Sequence, residues 1–387
     1  MVSLLLAIIY LAFISLGLPD SLLGSAWPVM YEQFGVPLSY AGIISMIISG
    51  GTIISSLMSD RLTRKFGAGL VTAVSTLLTA LALFGFSLSR SYIPLCVLAV
   101  PYGLGAGAID AALNNYVALH YASRHMSWLH CFWGVGAAIS PYIMGYSLSK
   151  DLNWSLGYRI VSIIQICFTA VLFISLPLWR KNRENGHTTE NSRPLTLKEA
   201  VSIKGVKLVL AAFFSYCALE WTACLWASSY LVEYRQIDAN TAARFASLLF
   251  IGITVGRFLC GFIADKVGDK NLIRIGTAVT MFGIVLVALP LKVDSIALAG
   301  LIIIGFGCAP IYPSIIHSTP VNFGKENSQA IVGIQMASAY VGSTFMPPVF
   351  GMLADNISMG LYPFYLMFFG VLMVIMSERL NKTVAKA

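Results

Sequence analysis

Charge is what this chain has least of: 11% of its 387 residues are Asp, Glu, Lys or Arg, against roughly 25% in an average globular domain. Hydrophobic residues make up 57% and the mean hydropathy is +0.79. A soluble fold is therefore excluded, and the bilayer is the expected solvent. The seven cysteines, Cys96, Cys131, Cys167, Cys217, Cys224, Cys260 and Cys308, lie in apolar stretches with neither a CxxC pair nor a Cys/His metal spacing. They read as small core residues, and no metal is expected. Gly103, Gly105 and Gly107 of "YGLGAGAID" have no Walker lysine after them and sit inside an apolar run, which suits close helix packing rather than a phosphate loop. Without an ATP motif no cofactor is expected, and an ion gradient or the substrate's own gradient is left as the energy source. No nucleophile-base constellation points to an enzyme. The first apolar run has neither a basic n-region nor a cleavage-like site, so it reads as a first span rather than a signal peptide.

What is present is a series of apolar runs bounded by charges or by Gly, Pro and Asn. They predict an all-α membrane protein with twelve transmembrane helices at roughly 3–30, 38–59, 67–88, 92–119, 126–149, 155–179, 206–232, 240–264, 271–290, 296–318, 328–354 and 361–378. Lys and Arg then divide unevenly. One set of loops, with the C-terminal tail, carries Arg61, Arg64, Lys65, Arg124, Arg180, Lys181, Arg183, Arg193, Lys198, Lys204, Lys207, Lys266, Lys270, Arg274, Lys325, Arg379, Lys382 and Lys386; the other carries Arg90, Lys150, Arg159, Arg235, Arg244 and Lys292. Basic residues accumulate on the cytoplasmic side, so both termini are expected there, in a plasma or inner membrane. This asymmetry accounts for the net charge of +8 without a nucleic-acid partner. The polar stretch "RKNRENGHTTENSRPLTLKEA" begins a cytoplasmic linker, 180–205, between an N-terminal bundle, 1–179, and a C-terminal bundle, 206–387.

The two bundles repeat. Gly136, Pro141 and Gly145 match Gly342, Pro347 and Gly351 at an offset of 206; Gly103 and Gly105 match Gly305 and Gly307 at 202; Asp60 and Arg61 match Asp265 and Lys266 at 205. Parallel six-helix halves holding substrate between them near the midplane are a transporter architecture. "GFIADKVGDK", Gly261 to Lys270, fits the loop motif G-x-x-x-D-[RK]-x-G-x-[RK] of the major facilitator superfamily, and "SSLMSDRLTRK" resembles its first copy with Ser56 and Thr63 in place of the two glycines. Within that superfamily, "DAALNNYV", "LHCFWGVGAAISP", "ALEWTACLWASSYL" and "APIYPS" look like the fucose-permease-type sugar:proton symporters. The resemblance implies two pseudo-symmetric six-helix bundles that alternate in access.

Ionisable groups inside spans are expensive and face protein or water rather than lipid. Asp20, Asp110 and Glu220 are three such acids, each either a protonated carboxyl pinning helices or a proton carrier. The resemblance places proton coupling and sugar recognition on a first-helix and a fourth-helix carboxylate, the positions of Asp20 and Asp110, although the family's fourth-helix acid is a Glu and Asp110 is shorter. Around them, Asn114, Asn115, His130, Trp133, Gln165, Trp221, Trp226, Tyr312, Gln335 and Tyr340 are candidate substrate contacts, because amides pair with adjacent hydroxyls and aromatic faces cover sugar CH groups. Packing and interfacial anchoring are the alternative roles, and His130 also suits a hydrogen bond between helices. Asp60, Arg61, Arg64, Arg257, Asp265 and Lys266 are candidate gating ion pairs at the cytoplasmic end, with Arg257 about two turns deeper than Asp265. The reading is a monomeric, proton-coupled symporter of a small neutral sugar; the alternative is proton-coupled efflux of drugs or other amphiphiles.

Overall fold

The computed structural model describes residues 4–37, 39–149, 153–185, 194–290 and 293–385. Residues 186–193 of the expected linker, with Arg193, and also Lys150, Lys292 and Lys386, lie outside the described residues. Among those described, every regular element is helical: α1 Leu4–Gly17, α2 Leu22–Phe34, α3 Tyr40–Phe66, α4 Ala68–Leu88, α5 Tyr92–His120, α6 Ser123–Ser149, α7 Trp154–Asn185, α8 Leu197–Ser202, α9 Val206–Ser229, α10 Ala239–Val267, α11 Asp269–Ala288, α12 Asp294–Cys308, α13 Ile311–His317, α14 Thr319–Phe323, α15 Lys325–Asn356 and α16 Tyr362–Val384. A helix satisfies its own backbone groups, which a bilayer interior cannot do for it.

Ten helical stretches are long and apolar enough to cross a membrane, α1 and α2 together forming the first, and α12 and α13 another. Helices α6 and α15 are long enough too, but their more polar sequences keep them outside that set; with them the spans number twelve.

The chain forms two compact units. One comprises residues 1–116 and 129–195, with α1–α2, α3, α4, α5, α6 and α7; the other comprises 117–128 and 196–387, with α9, α10, α11, α12–α13, α15 and α16. The short segment 117–128, which ends α5 and begins α6, therefore packs with the second unit. In the first unit α4 lies along α7; in the second α9 is flanked by α15 and α16, and α12 by α10 and α11.

Each unit repeats the other's close helix contacts. In the first, a Cβ at Gly103 would collide with the carbonyl of Ile48 on α3, and one at Gly136 with the carbonyl of Ile14 on α1. In the second, a Cβ at Gly305 would collide with the carbonyl of Leu249 on α10, and one at Gly342 would come within 2.6 Å of that of Phe214 on α9. Backbone-to-backbone approach of this kind needs a residue without a side chain.

One repeat expected from the sequence is displaced. Gly67 and Gly268, both at φ 79°, end α3 and α10, a left-handed turn that glycine accepts without strain. Asp60 precedes its glycine by seven residues and Asp265 by three, so Asp60 sits about one turn deeper. The helices thus superpose at an offset of 201 there rather than 205. In consequence Asp60 is buried while Asp265 is exposed.

We expect Gly103→Val to lower the stability of purified protein by about 1–3 kcal/mol, through overpacking of α5 on α3. Gly145→Ala, where a Cβ meets nothing within 4 Å, is the control. Thermal melting in detergent checks the pair, and equal melting temperatures would exclude this packing role.

Candidate functional site

Span one, expected as a single helix, is broken between Gly17 and Leu22. Pro19 has no N–H, so it leaves the Ser15 carbonyl without its helical donor. Gln165 of α7 supplies one: its Nε2 donates to Ser15 O at 2.6 Å. Asp20 N turns back to Gly17 O at 3.2 Å, the helix restarts at Leu22, and the Asp20 side chain stands exposed in the gap. Trp133 Nε1 of α6 donates to Asp20 Oδ2 at 2.8 Å, and the Tyr102 hydroxyl of α5 lies 3.5 Å from Oδ1. An accessible carboxylate held by two neutral donors can accept a hydroxyl group or a proton.

Asp110 is 5% exposed on α5. Asn114, one turn further on, donates Nδ2 to Asp110 Oδ1 at 2.7 Å and to the Asp110 carbonyl at 3.0 Å. Its Oδ1 faces His130 Nε2 of α6 at 3.0 Å, and the edge of the imidazole meets Phe13 of α1 at 5.5 Å between centroids. Asn115 is buried beside Asn114. The first unit thus gathers Asp20, Asp110, Asn114, His130 and Trp133. Gln165 and Asn114, expected among the sugar contacts, here make hydrogen bonds within the protein.

In the second unit Glu220 of α9 accepts from Arg257 Nη2 of α10 at 3.1 Å, both side chains buried. Arg257 was expected in the cytoplasmic network; its partner is instead a mid-span acid. Two opposite charges that deep in a membrane protein stabilise each other, whereas either alone would carry a large desolvation cost. Beside them Tyr216 donates to the Cys308 carbonyl at 2.9 Å, near the α12–α13 break. Tyr312 packs edge-on against Phe213 and Tyr216, its hydroxyl 3.3 Å from Met336 Sδ. Gln335 Oε1 accepts from Thr319 at 2.9 Å while its buried Nε2 has no hydrogen-bond partner. Trp226 donates to the Pro347 carbonyl at 2.9 Å. Trp221 is 45% exposed, and Tyr340 is half-buried on α15.

The motif residues fall into two groups. On α3, Arg64 Nε donates to Asp60 Oδ1 at 2.8 Å, one turn apart, and Arg61 is exposed. On α10, Asp265 receives Arg124 Nε at 3.1 Å and the Arg124 backbone N–H at 3.1 Å, while Lys266 is exposed. Asp269, the first residue of α11, accepts from Ser123 and pairs with His317 Nδ1 at 2.6 Å; His317 Nε2 faces the Tyr121 carbonyl at 3.1 Å. A carbonyl only accepts and a carboxylate only accepts, so this imidazole carries hydrogens on both nitrogens. Sequence reading missed Asp269 and His317 as partners, and Tyr102 and Tyr216 as well. Tyr102, eight residues before Asp110 on the same helix, was within reach of a periodicity argument; His317, a lone histidine in an apolar run, gave no local signal.

Six-span units with mid-span carboxylates and ion pairs at their helix ends define an integral membrane transporter, not an enzyme. The family comparison agrees: the Major Facilitator Superfamily matches residues 9–218 and 208–377, and the chain belongs to it. It is similar to the glucose/mannose transporter GlcP of Bacillus subtilis (strain 168), 22% identical over 88% of this chain and 86% of the relative. The cis,cis-muconate transport protein of Acinetobacter baylyi is 23% identical over 91% and 87%. A crystal structure of the superfamily transporter FucP in the outward conformation has a TM-score of 0.81 at 15% identity, covering 97% of this chain and 98% of that one. A structure of an E. coli Fucose:proton symporter FucP variant gives 0.77 and 16% over the same shares. At those identities the structural likeness establishes the fold alone.

Glu220→Leu is expected to destabilise the protein by about 3–5 kcal/mol, because it strands the Arg257 guanidinium in the membrane interior. Glu220→Leu with Arg257→Met should recover most of that loss. Melting temperatures of the single and double variants test the pairing; a double variant no more stable than the single would refute it.

Proposed function

We propose that this transporter carries a small neutral sugar together with a proton. The observation that carries the reading is the exposed Asp20 carboxylate at a helix break, held by Trp133 and Tyr102. Asp110 lies in the same unit with Asn114 as its hydrogen-bond donor. Neutral donors leave a carboxyl able to take up and release a proton, whereas Glu220 is compensated by Arg257 and serves structure. A negatively charged cargo such as a dicarboxylate would meet two acids in this unit, so a neutral polyol suits it better. Transport of glucose and mannose by one relative and fucose:proton symport by FucP support the substrate class. The aromatic face of Trp133, next to the Asp20 carboxylate, is the sugar platform of this reading.

Coupling follows from desolvation. A protonated, neutral carboxyl crosses the alternating-access cycle with sugar bound, while an ionised empty site resists closure. Asp110→Asn, whose amide stands in for the protonated acid, should abolish uphill sugar accumulation and sugar-driven alkalinisation yet retain counterflow in proteoliposomes. Asp20→Asn should either do the same or lose binding, according to which acid touches sugar. Uphill accumulation by both variants under an imposed pH difference would sink the coupling role. Binding of lipophilic cations with no response to sugars would make efflux the function.

The uneven distribution of basic residues supports a cytoplasmic position for both termini and the linker. Single cysteines at 185 and 196, in a background without the native thiols, should resist an impermeant reagent in intact cells and react after permeabilisation. Labelling of intact cells would reverse the topology.

A further inference from the structure

The orientation of the Asn114 amide is fixed by its neighbours. Its Nδ2 lies 3.0 Å from the Asp110 carbonyl, an atom that only accepts, so that end of the amide is the donor. The same Nδ2 reaches Asp110 Oδ1 at 2.7 Å. The other end is then an acceptor, and the group 3.0 Å from it, His130 Nε2, must carry a hydrogen. Donation therefore runs one way, from imidazole to amide to carboxylate. Each member is buried, His130 at 5% and Asn114 at 0% exposure, where hydrogen bonds polarise one another and are not replaced by water.

We propose that His130 is a positioning residue for proton coupling: through Asn114 it sets the proton affinity of Asp110, favouring the ionised carboxylate. With the imidazole donor in place the Asn114 amide cannot turn, and its N–H remains on Asp110. Without that donor the Asn114 Oδ1 is left as a buried acceptor, and turning the amide relieves it only when Asp110 carries a proton to donate to that oxygen, so protonation becomes easier. A proton added to the imidazole strengthens its donation, so charge on His130 opposes a proton on Asp110. The two residues thus form one coupled titrating system rather than two independent sites.

Other groups that bear on Asp110 act differently. Asp20 of the first span is a second carboxyl in the same unit, bound by Trp133 and Tyr102. On α3, Asp60 pairs with Arg64; α4 has no titratable side chain; Tyr102 shares α5 with Asp110 and turns to Asp20; Tyr158 and Arg159 lie near the start of α7, about two turns before Gln165. His130 is joined to Asp110 through a directional chain of hydrogen bonds.

The inference deepens the coupling role proposed above and rests on it for its consequence in transport, but its test needs no substrate. The full-length protein in lipid nanodiscs is titrated with infrared detection of the protonated-carboxyl C=O stretch, and the band absent from Asp110→Asn is assigned to Asp110. His130→Phe and Asn114→Leu should each move the midpoint of that band upward by about one pH unit, a tenfold gain in proton affinity. His130→Gln, whose amide nitrogen can replace Nε2 as donor, should stay within a few tenths of a unit of the wild type. Thermal melting identifies any variant that fails to fold, and either His130→Phe or Asn114→Leu suffices. An unmoved midpoint in the folded variant, an equal shift in His130→Gln, or no titrating Asp110 band in the wild type would overturn the relay. Failure of coupling itself is read separately, as uphill accumulation by Asp110→Asn.

Discussion

Pro19 removes a backbone donor in the middle of a membrane span, and the first unit is arranged around the consequences. In water the orphaned Ser15 carbonyl would be hydrated; in a bilayer it must find a protein donor, which Gln165 provides from α7. That bond ties the last helix of the unit to the first at the level of the break. It satisfies the carbonyl that Pro19 cannot reach. Asp20 is exposed in the break, and α5 and α6 supply the two donors that hold it. Stabilisation is incomplete: Gln165 Oε1 and the Ser15 hydroxyl are buried without hydrogen-bond partners.

The second unit uses side-chain donors in a similar manner. Tyr216 donates to Cys308 O, Trp226 to Pro347 O and Tyr365 to Met346 O. Cys308 ends α12, whereas Met346 and Pro347 lie inside α15 beside its Pro347–Pro348 pair. What differs between the units is charge. Asp20 and Asp110 have neutral donors, whereas Glu220 meets a guanidinium. The buried ion pair of Glu220 holds α9 to α10, whereas the donors to Asp20 and the Asn114 amide on Asp110 carry no charge.

Much of the architecture was legible in the chain because the bilayer imposes a one-dimensional rule. Length and hydropathy mark each span, and duplicated Gly and Pro positions mark each unit, since close helix contact demands the same small residue twice. The Asn114–Asp110 bond was legible as well, being one helical turn apart. His130 lies 16 residues beyond Asn114, and Arg257 lies 37 beyond Glu220; no local pattern joins such pairs. The displaced loop motif has the same origin. Matching letters put Asp60 opposite Asp265, but the glycine that ends each helix, not the aspartate, sets the register.

The amino-acid order by itself determined a twelve-span, two-unit membrane protein and the presence of three acids at membrane depth. These follow from transfer energies, a property of a residue and its near neighbours. Tertiary structure decided what each acid has become. It gave Asp20 to an indole and a phenol, Asp110 to an amide backed by an imidazole, and Glu220 to an arginine. Those choices depend on which helix faces which, and in what rotation, and that is set by packing over the whole unit rather than by any stretch of its sequence.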